Sequence, residues 1–272
     1  MLIVFPILGI IFAAIDVFVI GPYSANVFPA LIIYAVGYTL LSALCYVAFL
    51  IAISLLVDLN KPNEKFSRFY NNVVRWTLGV ALDACNVKVT VECAEKIPKE
   101  RFVLIQNHMA MFDPIVSLVY LGGHEIGFIT KPENFKLPII NKFMHRICCI
   151  SIDRENPRNA VKAINAAAEN VKNGVCSMAI YPEGTRARDG EMLPFHAGSF
   201  KIATKSGAPL VITTLTNTNK VHNNAPFRRT HVTLRICEVI PGEEVAKSST
   251  AELSARARKI MCESLGLGYD GE

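Results

Sequence analysis

His108 and Asp113 stand five residues apart in "QNHMAMFDP", directly after the apolar run "RFVLIQ". An imidazole held by a carboxylate is a general base: the carboxylate fixes one tautomer and stabilises the imidazolium, and the other ring nitrogen takes a proton. Within one regular helix, residues five apart are rotated by about 500°, so these two side chains cannot share a helical face. They can meet if His108 closes a strand and Asp113 opens the next helix. The same residues also fit an ordinary helix start, with Asp113 as N-cap before Pro114 and with Gly122 and Gly123 ending the helix. The motif alone leaves both readings open.

A second stretch adds chemistry of another kind. "YPEGTRARDG" follows the apolar "VCSMAI", which sets Glu183, Gly184, Thr185 and Arg186 at a second strand end, where open α/β sheets hold their ligands. Gly184 permits close backbone approach, and Arg186 offers a planar fork suited to phosphate. Arg154 in "ISIDRENP" and Lys131 in "FITKPENF" are further cations. Arg154 also reads as a surface ion pair with Asp153, and Lys131 as a solvated lysine.

Other chemistries find less support. There is no Gly-x-Ser-x-Gly elbow of the kind serine hydrolases use. His108 and Asp113 have no partners at zinc-ligand spacing, so no metal is expected. None of the eight cysteines forms a CxxC pair, and Cys148 and Cys149 are adjacent, which predicts buried, reduced thiols rather than a disulfide framework. "GLGYDG" matches Gly-x-Gly-x-x-Gly but follows a helical segment, whereas a dinucleotide fingerprint follows a strand. "ARARK" reads as the polar face of a helix, so no nucleic-acid partner is expected.

The elements that must position these residues alternate. "NVKVTVEC", "RFVLIQ", "GFIT", "ICCISI", "VCSMAIY", "PLVITTL" and "HVTLRICEVI" are short, β-branched runs that predict strands. Between them, "NPRNAVKAINAAAENVKNG" opens on Asn156 and Pro157 with Gly174 past its end, and "STAELSARARKIMCESLG" opens on a capping box of Ser249 and Glu252. This alternation predicts an α/β domain with a mostly buried sheet and flanking helices over residues 61–272.

Residues 1–60 differ. They contain no Lys or Arg, and their only acids are Asp16 and Asp58, whereas the remainder carries all 28 basic residues against 21 acids, a formal +7. Residues 1–20 and 30–57 are each apolar enough for the roughly 20 residues that cross a bilayer, with the turn-rich "GPYSANVFP" between them. A membrane helical hairpin is expected. The first segment lacks the basic region and cleavage site of a signal peptide. Lys61, Lys65, Arg68 and Arg75 follow the second, which puts the remainder on the cytoplasmic face of the cell membrane.

Taken together, His108 and Asp113 followed by Glu183–Arg186, with "ISIDRENP" and "GAPLVITTL" between and after, resemble the glycerolipid acyltransferase family. Within it, the bacterial 1-acylglycerol-3-phosphate acyltransferases are the most similar group. The resemblance runs over roughly residues 65 to 240. Ala110 and Ala187 stand where the family often has serine, and His196 where it often has lysine. It implies a mixed sheet of the glycerol-3-phosphate acyltransferase type, His108 as base and Asp113 as its orienting partner. It also implies an acceptor phosphate held by Arg186, Arg154 or Lys131, with Glu183 orienting an arginine or meeting the glycerol hydroxyl. The implied partners are membrane lipids, lysophosphatidic acid as acceptor, and acyl-CoA or acyl-carrier protein as co-substrate, with no separate cofactor.

Overall fold

Each apolar run read as a strand is one. A computed structural model describes residues 4–20, 27–153, 156–187 and 191–269. Among them the strands are β1 (Val87–Glu92), β2 (Val103–Gln106), β3 (Ile126–Thr130), β4 (Ile150–Ser151), β5 (Ser177–Ile180), β6 (Leu210–Thr216) and β7 (Thr230–Ile240). They form a single sheet in the order β1-β7-β6-β2-β5-β3-β4. From β6 to β4 the strands are parallel; β7 is antiparallel to β6 and parallel to β1, so the sheet is mixed. β4 is shorter than "ICCISI" suggests. Cys148 sits in the left-handed region at φ 56°, and the N–H groups of Cys148 and Cys149 bond back to His145 and Met144, which keeps the run turned until Ile150.

The helices are α1 (Val4–Ile20), α2 (Val27–Leu55), α3 (Arg68–Ala84), α4 (Phe112–Leu121), α5 (Ile140–Arg146), α6 (Pro157–Lys172), α7 (Lys201–Ser206), α8 (Val221–Asn224), α9 (Gly242–Lys247) and α10 (Thr250–Leu265). The start signals hold. Asn156 accepts the N–H groups of Arg158 and Asn159 at 3.2 and 3.3 Å, and Ser249 with Glu252 closes the capping box.

Strand residues alternate between two cores because successive side chains leave opposite faces of a sheet. Val103 and Ile105 join Leu210 and Ile212 on the face covered by α6, α7 and α10; Phe102 and Leu104 join Val211 and Leu215 on the face covered by α3 and α4. The thiols are less uniformly buried than expected: Cys148, Cys176 and Cys262 are inside, Cys45 is exposed on α2, and four are half-buried.

α1 and α2 pair as a hairpin. Gly9 lets the two helices approach, since a Cβ there would lie 2.6 Å from the Ala35 carbonyl. Asp16, the lone acid of α1, accepts the hydroxyl of Tyr38. Leu31–Leu55 is long and apolar enough to cross a membrane, with mean hydropathy 2.2, and among the described residues of α1 the apolar stretch is Val4–Val17. The hairpin joins the α/β domain through α3: the Tyr46 ring meets Trp76 at 4.5 Å, its hydroxyl lies 2.7 Å from the Thr77 hydroxyl, and Tyr70 donates to the Ile53 carbonyl at 2.9 Å.

Candidate active site

β2 lies between β6 and β5, all parallel, so the carboxyl ends of three adjacent strands meet at one edge. From β2 the chain passes through α4 to β3, over β5. From β5 it passes through α7 to β6, over β2 and in the opposite direction. Such a reversal opens a crevice beyond the strand ends.

His108 closes β2 and is anchored by its backbone on both sides. Its N–H donates to Glu183 Oε1 at 2.6 Å, and its carbonyl accepts the N–H of Ala187 at 2.8 Å. One residue earlier, the Asn107 side chain spans to β6, donating to the Leu215 carbonyl at 3.1 Å and accepting the Leu215 N–H at 2.8 Å. The imidazole stacks on the Tyr181 ring, centroids 4.3 Å apart at 21°.

Asp113 is not the N-cap. The helix begins one residue earlier, and Asp113 lies in its first turn, fully buried, with its carboxylate folded back over the turn. Oδ2 accepts from His108 Nδ1 at 2.7 Å and from the N–H groups of Met109 and Ala110 at 2.7 and 2.8 Å; Oδ1 accepts from the Thr218 hydroxyl at 2.5 Å. A fully buried carboxylate is costly without such donors, and the helix N-terminus adds favourable potential. Since Asp113 accepts the hydrogen bond from Nδ1–H, the basic lone pair of the imidazole is on Nε2.

Among the described residues, the side-chain partners of Glu183 are backbone N–H groups. It is buried, and its carboxylate takes the backbone N–H of His108 on one oxygen and that of Leu193 on the other, at 3.0 Å. Burial raises its pKa above the ordinary carboxylate value, and the two backbone N–H groups pull against that shift. Gly184 follows in the left-handed region at φ 75° and returns its N–H to the Tyr181 carbonyl at 3.1 Å, closing a tight turn with Pro182 at its second position. Thr185 and Arg186 emerge exposed from this turn, and among the described residues Arg186 makes no ion pair. Lys131 is exposed at the end of β3, two strands from β2 and so roughly 10 Å away. Arg154 lies outside the described residues.

Three supporting residues had no signal in the sequence. Asn107 reads as a turn residue, Tyr181 as the end of an apolar run, and Thr218 as one polar residue in "TNTNK". Their roles arise from the order β6-β2-β5, which only folding supplies.

Residues 88–215 match the family model described as Acyltransferase. These residues are an acyltransferase-family domain. The matched segment contains His108, Asp113 and Glu183–Arg186 and stops three residues before Thr218. Three relatives are each named 1-acyl-sn-glycerol-3-phosphate acyltransferase. One from Borreliella burgdorferi is 32% identical over 54% of this chain and 58% of its own length. One from Saccharomyces cerevisiae is 28% identical over 75% and 66%. The chloroplastic BAT2 protein of Brassica napus is 35% identical over 49% and 39%. The chain thus spans between 39% and 66% of these relatives. The likeness in fold extends beyond the matched segment. The crystal structure of the 1-acyl-sn-glycerophosphate (LPA) acyltransferase of Thermotoga maritima superposes with a TM-score of 0.56 at 26% identity, covering 83% of this chain and 90% of that one.

Proposed function

We propose that the chain transfers an acyl group from a thioester to the free sn-2 hydroxyl of lysophosphatidic acid, giving phosphatidic acid. The observation that carries this is the His108–Asp113 pair: a buried carboxylate with four donors holds Nδ1 and leaves Nε2 as the base at the rim of the crevice. The names of the relatives support lysophosphatidic acid as acceptor.

An alcohol is a weak nucleophile and needs its proton removed as it attacks. Nε2 of His108 accepts the hydroxyl proton while the oxygen bonds to the thioester carbonyl carbon. The tetrahedral species then expels the sulfur, the C–S bond breaks, and Nε2 passes its proton to the departing thiolate. Ester and free thiol are the products, with His108 returned to its starting state. Asp113 stabilises the imidazolium in between. No covalent acyl-enzyme is needed.

Arg186 carries a guanidinium to the same edge, because the residue after it is bonded to the His108 carbonyl. It is the group suited to the acceptor phosphate, and a held phosphate aligns the hydroxyl for attack. Lys131 and Arg154 are the further candidates for this contact. The donor is acyl-CoA or acyl-carrier protein. The hairpin of residues 1–60 embeds in the cell membrane and keeps residues 61–272 at its cytoplasmic face.

The test is reconstitution of the chain with a panel of lysolipids and glycerol-3-phosphate, each with both donor types, and mass analysis of the products. Phosphatidic acid formed from lysophosphatidic acid is the expected result. His108→Ala should lower turnover by about 10²- to 10⁴-fold, the usual contribution of a positioned base. Equal turnover in variant and wild type refutes the mechanism, and release of free fatty acid without acylated lipid refutes transfer.

A further inference from the structure

α2 and α3 are antiparallel, because Tyr46 meets Thr77 while Ile53 meets Tyr70. Residues 27–45 of α2 therefore run toward and then past the carboxyl end of α3. At 1.5 Å per residue they extend roughly 28 Å beyond Tyr46, against about 10 Å of α3 beyond Thr77, an overhang of about 18 Å. The overhang, roughly residues 27–38, is apolar and open: Ile32, Ile33 and Val36 are all exposed.

At the end of α3 that the hairpin overshoots stands the turn between β6 and β7. Asn86, just past α3, accepts the Thr230 N–H on its carbonyl and Arg229 Nε on its side chain at 3.1 Å. Beside this contact Phe227 is 93% exposed, more than any other large apolar side chain described. Arg228 and Arg229 are also exposed. An apolar ring projecting fully into water beside two arginines suits a boundary between acyl chains and charged headgroups.

We infer that residues 226–229 are a membrane-contact loop, with Phe227 inserted at the headgroup boundary of an anionic bilayer and Arg228 and Arg229 on lipid phosphates. The partner follows from two features: continuity with the apolar overhang of the hairpin, and arginines of the charge that an anionic lipid surface attracts. The same loop leads from Thr218, which bonds Asp113, so the contact would set the catalytic edge against the surface that holds a lipid acceptor. The inference rests on the membrane reading of the hairpin and not on acyl transfer.

The test uses the full chain reconstituted in phosphatidylcholine vesicles with and without phosphatidylglycerol. Phe227→Trp adds a fluorophore to a chain whose single tryptophan is Trp76, and the wild type supplies the Trp76 signal to subtract. The added emission should be quenched by lipids brominated on their acyl chains and shielded from aqueous iodide. Arg228→Ser with Arg229→Ser in the same background should weaken the preference for phosphatidylglycerol by about 5-fold per arginine. A residue-227 signal open to iodide in both vesicle types overturns the inference. Shielding that appears only on addition of acyl-carrier protein also overturns it, in favour of a protein partner. Since fluorescence needs no turnover, loss of acyl transfer and loss of this contact are read separately.

Discussion

Thr218→Val tests whether the carboxylate behind the base must be held at both oxygens. Threonine and valine have nearly the same shape, so the change removes one hydroxyl and little packing. Three donors remain on Oδ2 of Asp113, but Oδ1 has only Thr218 among the described residues, and the carboxylate is fully buried. A hydrogen bond to a charged group contributes about 1.5–3 kcal/mol. If roughly 2 kcal/mol of that became a bias toward rotating the carboxylate away from Nδ1, the competent fraction would fall about 30-fold. The two backbone N–H groups on Oδ2 oppose the rotation, so kcat should fall between about 3- and 30-fold. KM for lysophosphatidic acid should stay unchanged, because Thr218 acts through Asp113 as a positioning residue. Thiol release by the reconstituted chain gives both constants, and thermal melting gives the stability loss separately. Thr218→Ser restores the donor and should return kcat to within about 2-fold of wild type. If Thr218→Val melts lower yet turns over at the wild-type rate, or if serine rescues nothing, Thr218 is only structural and the reasoning fails.

Glu183→Gln sets an amide NH2 against one of the two backbone N–H groups that the carboxylate now accepts, and should cost about 1–3 kcal/mol of stability. Burial raises the Glu183 pKa, so the folded chain binds this proton more tightly than the unfolded one. Its contribution is greatest below the unfolded value of 4.5 and is lost as pH rises through the folded value. Melting curves taken upward from pH 4.5 should lose this component of their slope in the glutamine variant, and an unchanged slope would count against the assignment. Tyr181→Phe removes a buried hydroxyl beside Ser117, whose own hydroxyl is already given to Gln106, while keeping the ring stacked on His108. Stability should stay level or rise by up to about 1 kcal/mol, and a loss above about 2 kcal/mol would reveal a partner. Arg186→Ala should lower kcat/KM for lysophosphatidic acid by about 10- to 100-fold, chiefly through KM. A rise in the donor's KM instead would move the arginine to the thioester.

What could be read in advance follows from how local each feature is. β2, β3, β5 and β6 were visible as continuous apolar runs because both their faces are covered, and β1 and β7 as β-branched runs that alternate because one face is more open. The caps at Asn156 and Ser249 were visible because a cap needs only its own first turn. His108 and Asp113 could be paired because five residues are enough for a turn to bring a strand end and a helix start together. Glu183 could be placed at a strand end, but its contacts could not be read. Its partners, His108 and Leu193, lie 75 residues before and 10 after, and a glutamate beside a glycine and an arginine suggests ligand contact, not a backbone clamp. Thr218 is 105 residues from Asp113, and Asn107 is 108 from Leu215, so neither spacing carries a period or motif.

These long-range contacts bear on how activity and folding are coupled. The donors around Asp113 come from the β2–α4 turn and from the chain leaving β6, two segments that meet only when those strands are in register. The Asn107 clamp on Leu215 sets that register within one residue of the base. In the unfolded chain the same carboxylate is solvated and has no fixed imidazole partner, so the base is made by folding. A local opening at the carboxyl end of β6, from Leu215 to Thr218, would withdraw Thr218, release Asp113 and free the His108 ring, while Leu210 and Ile212 kept their place under α6 and the hairpin kept its own contacts. Sub-global openings of this kind lie below the global unfolding free energy. Turnover should therefore fail on heating before the helical signal does. Asn107 is the residue at which a small change would widen that gap most, because it bonds β6 through both its donor and its acceptor.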